Sequence, residues 1–410
     1  MSAVIGAAGF DVAVVGSGIV GLGAALAAHR RGQRVVVIER GSEPSGASVR
    51  NFGHLCFTPQ AGLAREFALT SRELWLGLAL DAGVWLRESG TLVAARRDDE
   101  FAVLRDLAAT RGDEVELLTA AEAEERMPLA SGTAVGGAFL PLDLQANPRQ
   151  AVIALAAHLE REGVEFRRRT TVGAVRPGRV ETSRGPIDAG RVIVAVNHDL
   201  DLLYPELAER HGIVRCSLDM MRVSAELRMP LAAPLLTGWS LVRYGAFSAT
   251  PAAAALRERL HAERPDLAAL DLNQMYARLP DGTLIVGDTH SRGATVAPFQ
   301  SEFAFESMLG ETRALFGVEE LRVVERWQGV YASGPDDFLI EEIEPGVHLA
   351  SATTGIGMTT GLGLAEHVVA GFTGEPRCSG GSQISGDSRI SGDASAFGPA
   401  LTTTLQKGAS

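Results

Sequence analysis

Cysteine is nearly absent: Cys56, Cys216 and Cys378 are the only three in 410 residues. Three cannot build a disulfide framework, and no CxxC or Cys/His cluster has zinc spacing. No metal site is expected, and a reducing, cytoplasmic setting is. Positive charge is also in deficit. Lys and Arg number 38 against 50 Asp and Glu, a net charge of −12. That argues against nucleic acid or an anionic membrane as partner. A small anionic substrate stays open, because a few local arginines suffice for it. Long hydrophobic runs are missing too. The longest uncharged stretch, Val12 to Ala28, is broken by Gly16, Gly18, Gly21 and Gly23, so no membrane span is expected. No basic segment precedes that stretch, so no secretory signal is expected.

Glycine is in excess, with 46 residues against a usual ~7%. There is no Gly-X-Y period. The excess therefore marks places where the backbone turns sharply or approaches something closely. Sixteen of the 46 fall in residues 1–53 and 355–374, the two ends of the folded part.

The length predicts two or three domains, or one large domain with an insertion. Asp11–Val15 and Arg34–Ile38 are β-branched runs flanking a helical pattern over 18–31, an order that points to a parallel sheet. Helices are expected near 60–82, 100–110, 251–263, 301–316 and 356–371. Thr119 and Glu122 form a capping-box pattern. Asn147-Pro148 opens a helix that should stop at Gly163. Strands are expected at 164–168, 171–175, 179–182, 191–196, 220–227, 241–248, 274–279 and 284–287, then 321–331, 338–342 and 347–351. Asp281-Gly282 reads as a hairpin turn. The Gly/Ser-rich tail, 378–410, is expected to be disordered.

Gly16-Ser17-Gly18-Ile19-Val20-Gly21 matches GxGxxG, with a strand before it and a helix opening on it. Gly16 permits the turn, Gly18 lets the backbone approach a pyrophosphate, and Gly21 lets helix and strand pack closely. The helix N-terminus attracts the phosphates. Glu39 ends the second strand, where a carboxylate accepts from ribose hydroxyls and disfavours a 2′-phosphate. NAD and FAD remain. The chain does not continue into further βαβ units. It returns at its end to Gly355-Ile356-Gly357-Met358-Thr359, a second glycine-rich turn opening a helix. Two helix N-termini suit a long cofactor with a pyrophosphate at one end and an anionic flavin ring at the other.

With these motifs the chain resembles the FAD-dependent amine and amino-acid oxidoreductases, the family of glycine oxidase, sarcosine oxidase and D-amino-acid oxidase. Further carriers are Gly46-Ala47-Ser48, Ser71-Arg72-Glu73-Leu74-Trp75, Thr91-Leu92-Val93 and the segment Arg278–Gly287. Trp327–Tyr331 and Pro335-Asp336 complete the set. The resemblance implies an α/β fold with an α+β substrate part. A Rossmann-like FAD-binding domain (10–80, 146–212, 321–377) would be interleaved with an antiparallel-sheet substrate domain (81–145, 213–320). It implies FAD contacts from Arg40, Ser45, Gly46, Ala47, Ser48, Asn51, Gly53, His54, Val172, Ala195, Val196 and Asn197. Three departures carry information. Gly329-Val330-Tyr331-Ala332 lacks the family's carboxylate-clamping arginine. Thr359 stands where sarcosine oxidases have a lysine. Gly329 stands near where they attach flavin through a cysteine, so FAD is expected to be non-covalent.

The stretch Gly46 to His54 is similar to the family branch linked to aminophosphonate catabolism. This implies oxidation of 2-aminoethylphosphonate or its N-methyl form to phosphonoacetaldehyde, with O2 or another electron acceptor. An α-amino-acid oxidase or dehydrogenase, and a non-catalytic flavin-binding protein, are the alternatives. The oligomeric state is left open. Arg50, His54, Arg278 and Tyr331 are the candidate catalytic residues. Together with Arg243, Tyr244 and His290 they are the candidate substrate contacts. Trp75, Trp239 and Trp327 are expected in the core.

Overall fold

The computed structural model describes residues 9–373; the expected disorder of 378–410 lies outside the described residues. Five parallel strands form the first part of the fold, in spatial order Val347–Thr354, Ile187–Val194, Phe10–Val15, Val35–Ile38 and Glu165–Arg167. Their apolar residues are buried on both faces, which is why the strands read as unbroken β-branched runs. Val15 pairs with Ile38 on one side and Val194 on the other. The residues that follow, Gly16, Glu39 and Ala195, therefore gather at the carboxyl ends of neighbouring strands, where the strand order reverses. Ligands of open α/β sheets bind at that point.

The second part is mainly antiparallel. Val214–Ser224 lies between Leu284–Gly293 and Arg322–Glu344, and Met275–Arg278 pairs with Leu284–Gly293. Leu235–Leu236 connects these strands to Thr91–Ala95, Gly136–Leu140 and Glu116–Thr119. Its own core cluster includes Leu104, Met221, Tyr276, Ile285 and Phe316.

Three expected strands are corrected. The segments 321–331 and 338–342 are one strand, Arg322–Glu344. Its first half pairs with Val214–Ser224 and its second with Val347–Thr354. The two parts of the fold thus share one continuous sheet, and Tyr331 stands just before the crossover. The third, 241–248, is not a strand. Two single helical turns, Gly238–Leu241 and Gly245–Ser248, take its place. Arg243 and Tyr244 both donate backbone N–H bonds to Ser240 O, a local pattern that overrides the β-like composition.

Expectations based on local chemistry match more closely. Thr119 and Glu122 form a reciprocal capping box. Asn147 caps Pro148–Arg161 through the Arg149 N–H, and Gly163 follows with φ +100°. The helix Gly357–Thr373 packs on Gly62–Asp81 and Ile19–Arg30. A Cβ on Gly363 would collide with the Phe67 carbonyl, so glycine sets that spacing. Among the described residues no helix is long and apolar enough to cross a membrane.

Candidate active site

A cavity of about 1130 Å³ runs between the two parts of the fold. Pockets for ordinary small ligands are ~300–1,000 Å³, so a dinucleotide and a small substrate fit together. The motif residues Gly16–Val20 line one region, with Glu39, Arg40, Ser45–Ser48, Asn51, Val172 and Ala195–Asn197. Gly355–Thr359 line it from the C-terminal helix. Gly21 and Gly53 do not line it. Gly21 packs against the Gly16 carbonyl, and Gly53 against the Ala146 carbonyl.

The local chemistry fits FAD. Gly18 caps Ile19–Arg30 with no side chain of its own to cover the helix N-terminus. Ser48 Oγ accepts from the Ile19 N–H at 3.0 Å, which anchors the following loop to that turn. Glu39 accepts from the Ser17 N–H (3.0 Å), the Ser17 hydroxyl (2.6 Å) and the Gly41 N–H (2.7 Å). A carboxylate has about four acceptor sites, so one remains for a ribose hydroxyl. Asn51 spends its amide on the loop itself, donating to Ala47 O and Ser48 O and accepting from the Gly53 N–H. Asn197, at φ +55°, accepts from the Ala332 N–H. It ties its loop to the long strand beside Tyr331.

His54 lines the cavity and is buried. Its Nε2 lies 2.6 Å from Thr91 Oγ1 and 3.9 Å from Asp143 Oδ2. Burial pushes His54 down to about 3 and Asp143 up to about 6, so near pH 7 the ring is neutral and the acid mostly ionised. Asp143 Oδ1 accepts from the Phe57 and Thr58 N–H groups, which fixes the carboxylate beside the ring. The other ring nitrogen, Nδ1, is buried and has no partner among the described residues.

Arg243, Tyr244 and Tyr331 also line the cavity. Arg243 donates to Asp271 Oδ1 at 2.6 Å, and Arg292 donates to Asp271 Oδ2 at 2.5 Å. Burial pushes Asp271 upward, but Arg243 and Arg292 hold it at about 2. One carboxylate thus serves two guanidinium groups. Burial raises Tyr331 well above its usual range, so its hydroxyl stays protonated. Its ring packs against the Gly355 turn, where a Cβ would lie 3.0 Å from Cζ.

Two expected substrate contacts are not brought to the cavity. Arg50 is exposed and donates to Gln328 O at 3.0 Å. Arg278 ends its strand outside the cavity lining, and its carbonyl accepts from Gln145 Nε2 at 2.8 Å. The tryptophans also divide. Trp75 is buried and donates to Met358 O. Trp239 lines the cavity, stacked on His261. Trp327 is half-buried beneath Arg149 and donates to Arg50 O. The cavity holds Gln60, Asp271, Asn273, Asp288 and Arg292 as well, none of which the motifs pointed to. A signal existed for Asp288: it is an acid set in the apolar strand one residue beyond the matching segment.

The family profile described as "DAO: FAD dependent oxidoreductase" matches residues 11–370. Glycine oxidase of Geobacillus kaustophilus is 32% identical over 206 residues, 45% of this chain and 54% of that protein. D-amino acid dehydrogenase of Helicobacter pylori is 24% identical over 209 residues, 38% of this chain and 51% of the relative. The chain thus spans about half the length of the curated relatives it matches. The crystal structure of L-proline dehydrogenase from P. horikoshii superposes with a TM-score of 0.75 at 19% identity, covering 90% of this chain and 95% of that one. The fold is therefore shared well beyond the aligned sequence. By its profile match over nearly all the described residues, the chain belongs to the family of FAD dependent oxidoreductases.

Proposed function

We propose that this chain oxidises a small amine bearing an anionic group, and that the amine is 2-aminoethylphosphonate or its N-methyl form. The observation that carries the reading is the pair Arg243 and Arg292, joined through Asp271 in the cavity wall. The strand from which related enzymes clamp an α-carboxylate offers Tyr331 instead. Guanidinium groups present planar forks of donors suited to phosphonate as well as carboxylate oxygens. A phosphonate on 2-aminoethylphosphonate sits one carbon further from the amine than an α-carboxylate does. A relocated cationic pair matches that displacement.

FAD, when bound, supplies the two-electron acceptor for the hydride leaving the carbon beside nitrogen. The protein's groups bind the anion, orient the amine and exclude water. The resulting imine takes up water and splits into phosphonoacetaldehyde and ammonia, or methylamine from the N-methyl form. O2 then accepts the electrons, giving hydrogen peroxide; this reading makes the chain an oxidase, although similar proteins carry both oxidase and dehydrogenase names. Non-covalent FAD suits the thiols of the described residues. Burial pushes Cys56 up to about 12 and raises Cys216 as well, so neither is an available nucleophile.

The test is anaerobic stopped-flow mixing of the yellow protein with each amine. At least one of the two phosphonate amines should bleach the flavin band. Bleaching by glycine, sarcosine or D-alanine with neither phosphonate active would replace the substrate with an ordinary amino acid. A protein that takes up no FAD would leave a structural role.

A further inference from the structure

The anion-holding arginines leave one buried acid in the cavity without a task. Asp288 lies on the strand Leu284–Gly293, is 5% exposed and lines the cavity. Its backbone is fixed on both sides by Asn273, through bonds of 2.6 and 2.8 Å. Its Oδ1 is buried with no partner among the described residues. Its Oδ2 lies 3.5 Å from His290 Nε2. His290 Nδ1 is 2.8 Å from the Asp271 carbonyl, which can only accept, so Nδ1 carries the ring proton. Burial and Arg243 hold His290 neutral, and Nε2 therefore offers Asp288 a lone pair instead of a proton. A carboxylate placed this way lacks donors, which favours its protonated form until a cationic partner arrives.

We propose that Asp288 receives the substrate's ammonium group and takes its proton, freeing the neutral amine from which hydride leaves. The N–H bond breaks and an O–H bond forms on Asp288. The nitrogen lone pair then forms the C=N bond as the hydride departs with its electron pair to FAD. The inference rests on the amine-oxidation part of the proposed function. Other charged or titratable groups around Asp288 are Arg243, Tyr244, Asp271, His290, Arg292 and Tyr331. Burial pushes Asp288 up to about 7, against the pull of Arg243. A base of that strength operates near neutrality.

The experiment follows the pH dependence of anaerobic flavin bleaching in the wild type and in Asp288→Asn, under kcat/KM conditions. The wild type needs the ionised acid, so its rate constant should fall about tenfold per pH unit below about 7. The variant must draw neutral amine from solution, so its rate constant should rise about tenfold per unit through pH 9. Ethanesulfonate, an anion without an amine, should inhibit the variant at least as well as the wild type. In the wild type it should inhibit better below pH 7, where Asp288 is protonated, a reading that needs no variant. The profiles use whichever amine bleaches the flavin, so failure of the phosphonate substrate leaves this test intact. The same acid limb in both proteins would overturn the proposal. So would ethanesulfonate inhibition that weakens in the variant as much as amine oxidation does.

Discussion

A Gly18→Val variant will fold and purify without yellow colour. Gly18 has φ −70° and ψ 177°, a backbone that any residue adopts. A Cβ there would approach Ser48 Oγ at 3.3 Å, which a small hydroxyl shift relieves. The strand, the turn and the helix Ile19–Arg30 therefore keep their geometry. The added isopropyl group nevertheless occupies the space in front of the helix N-terminus, where a pyrophosphate must come close. Losing two charge-assisted bonds of about 1.5–3 kcal/mol each weakens FAD binding by at least ~100-fold. The measurement is the ratio of flavin to protein absorbance after purification, with circular dichroism as the control for folding. A yellow variant with full FAD content would remove this turn from the cofactor site.

Replacing Arg243 by Met should raise the KM for a phosphonate amine by about 30-fold or more. Removing one partner of a desolvated charge pair costs ~2–5 kcal/mol. Asp271 keeps Arg292 as its partner, so the fold survives. Ethanesulfonate inhibition should weaken in parallel, because both ligands share the anion site. Arg243 also holds the Asp288 pKa down, so its loss should move the acid limb to higher pH. Arg50→Met and Arg278→Met are the contrasting variants. Both arginines lie outside the cavity lining, and neither change should move KM by more than about twofold. Steady-state kinetics on the three variants separate these outcomes. Equal effects at all three positions would contradict the assignment of the anion site.

The features that were legible in the sequence are those set by near neighbours. The glycines at 16, 18 and 21, the acid at 39 and the caps at 119 and 147 each act within a turn or one βαβ unit. Their chemistry is visible in a single chain segment. The substrate end is assembled differently. Asp271, Asp288 and Arg292 meet Arg243 across three segments of chain, and nothing local marks them as partners. Arg50 and Arg278 lie in motif-bearing segments yet bind backbone carbonyls or end strands, because side-chain direction follows from register. The long strand looks like separate pieces in sequence because its pairing partner changes near Ser333, and its burial pattern changes with it. Segment 241–248 carries β-forming residues, but Ser240 holds it in helical turns.

The most direct test is product analysis of one anaerobic turnover with N-methyl-2-aminoethylphosphonate. Methylamine and phosphonoacetaldehyde should appear together, each equal to the flavin reduced. Bleaching by this substrate with neither product, or no bleaching beside full reduction by sarcosine, would contradict the account.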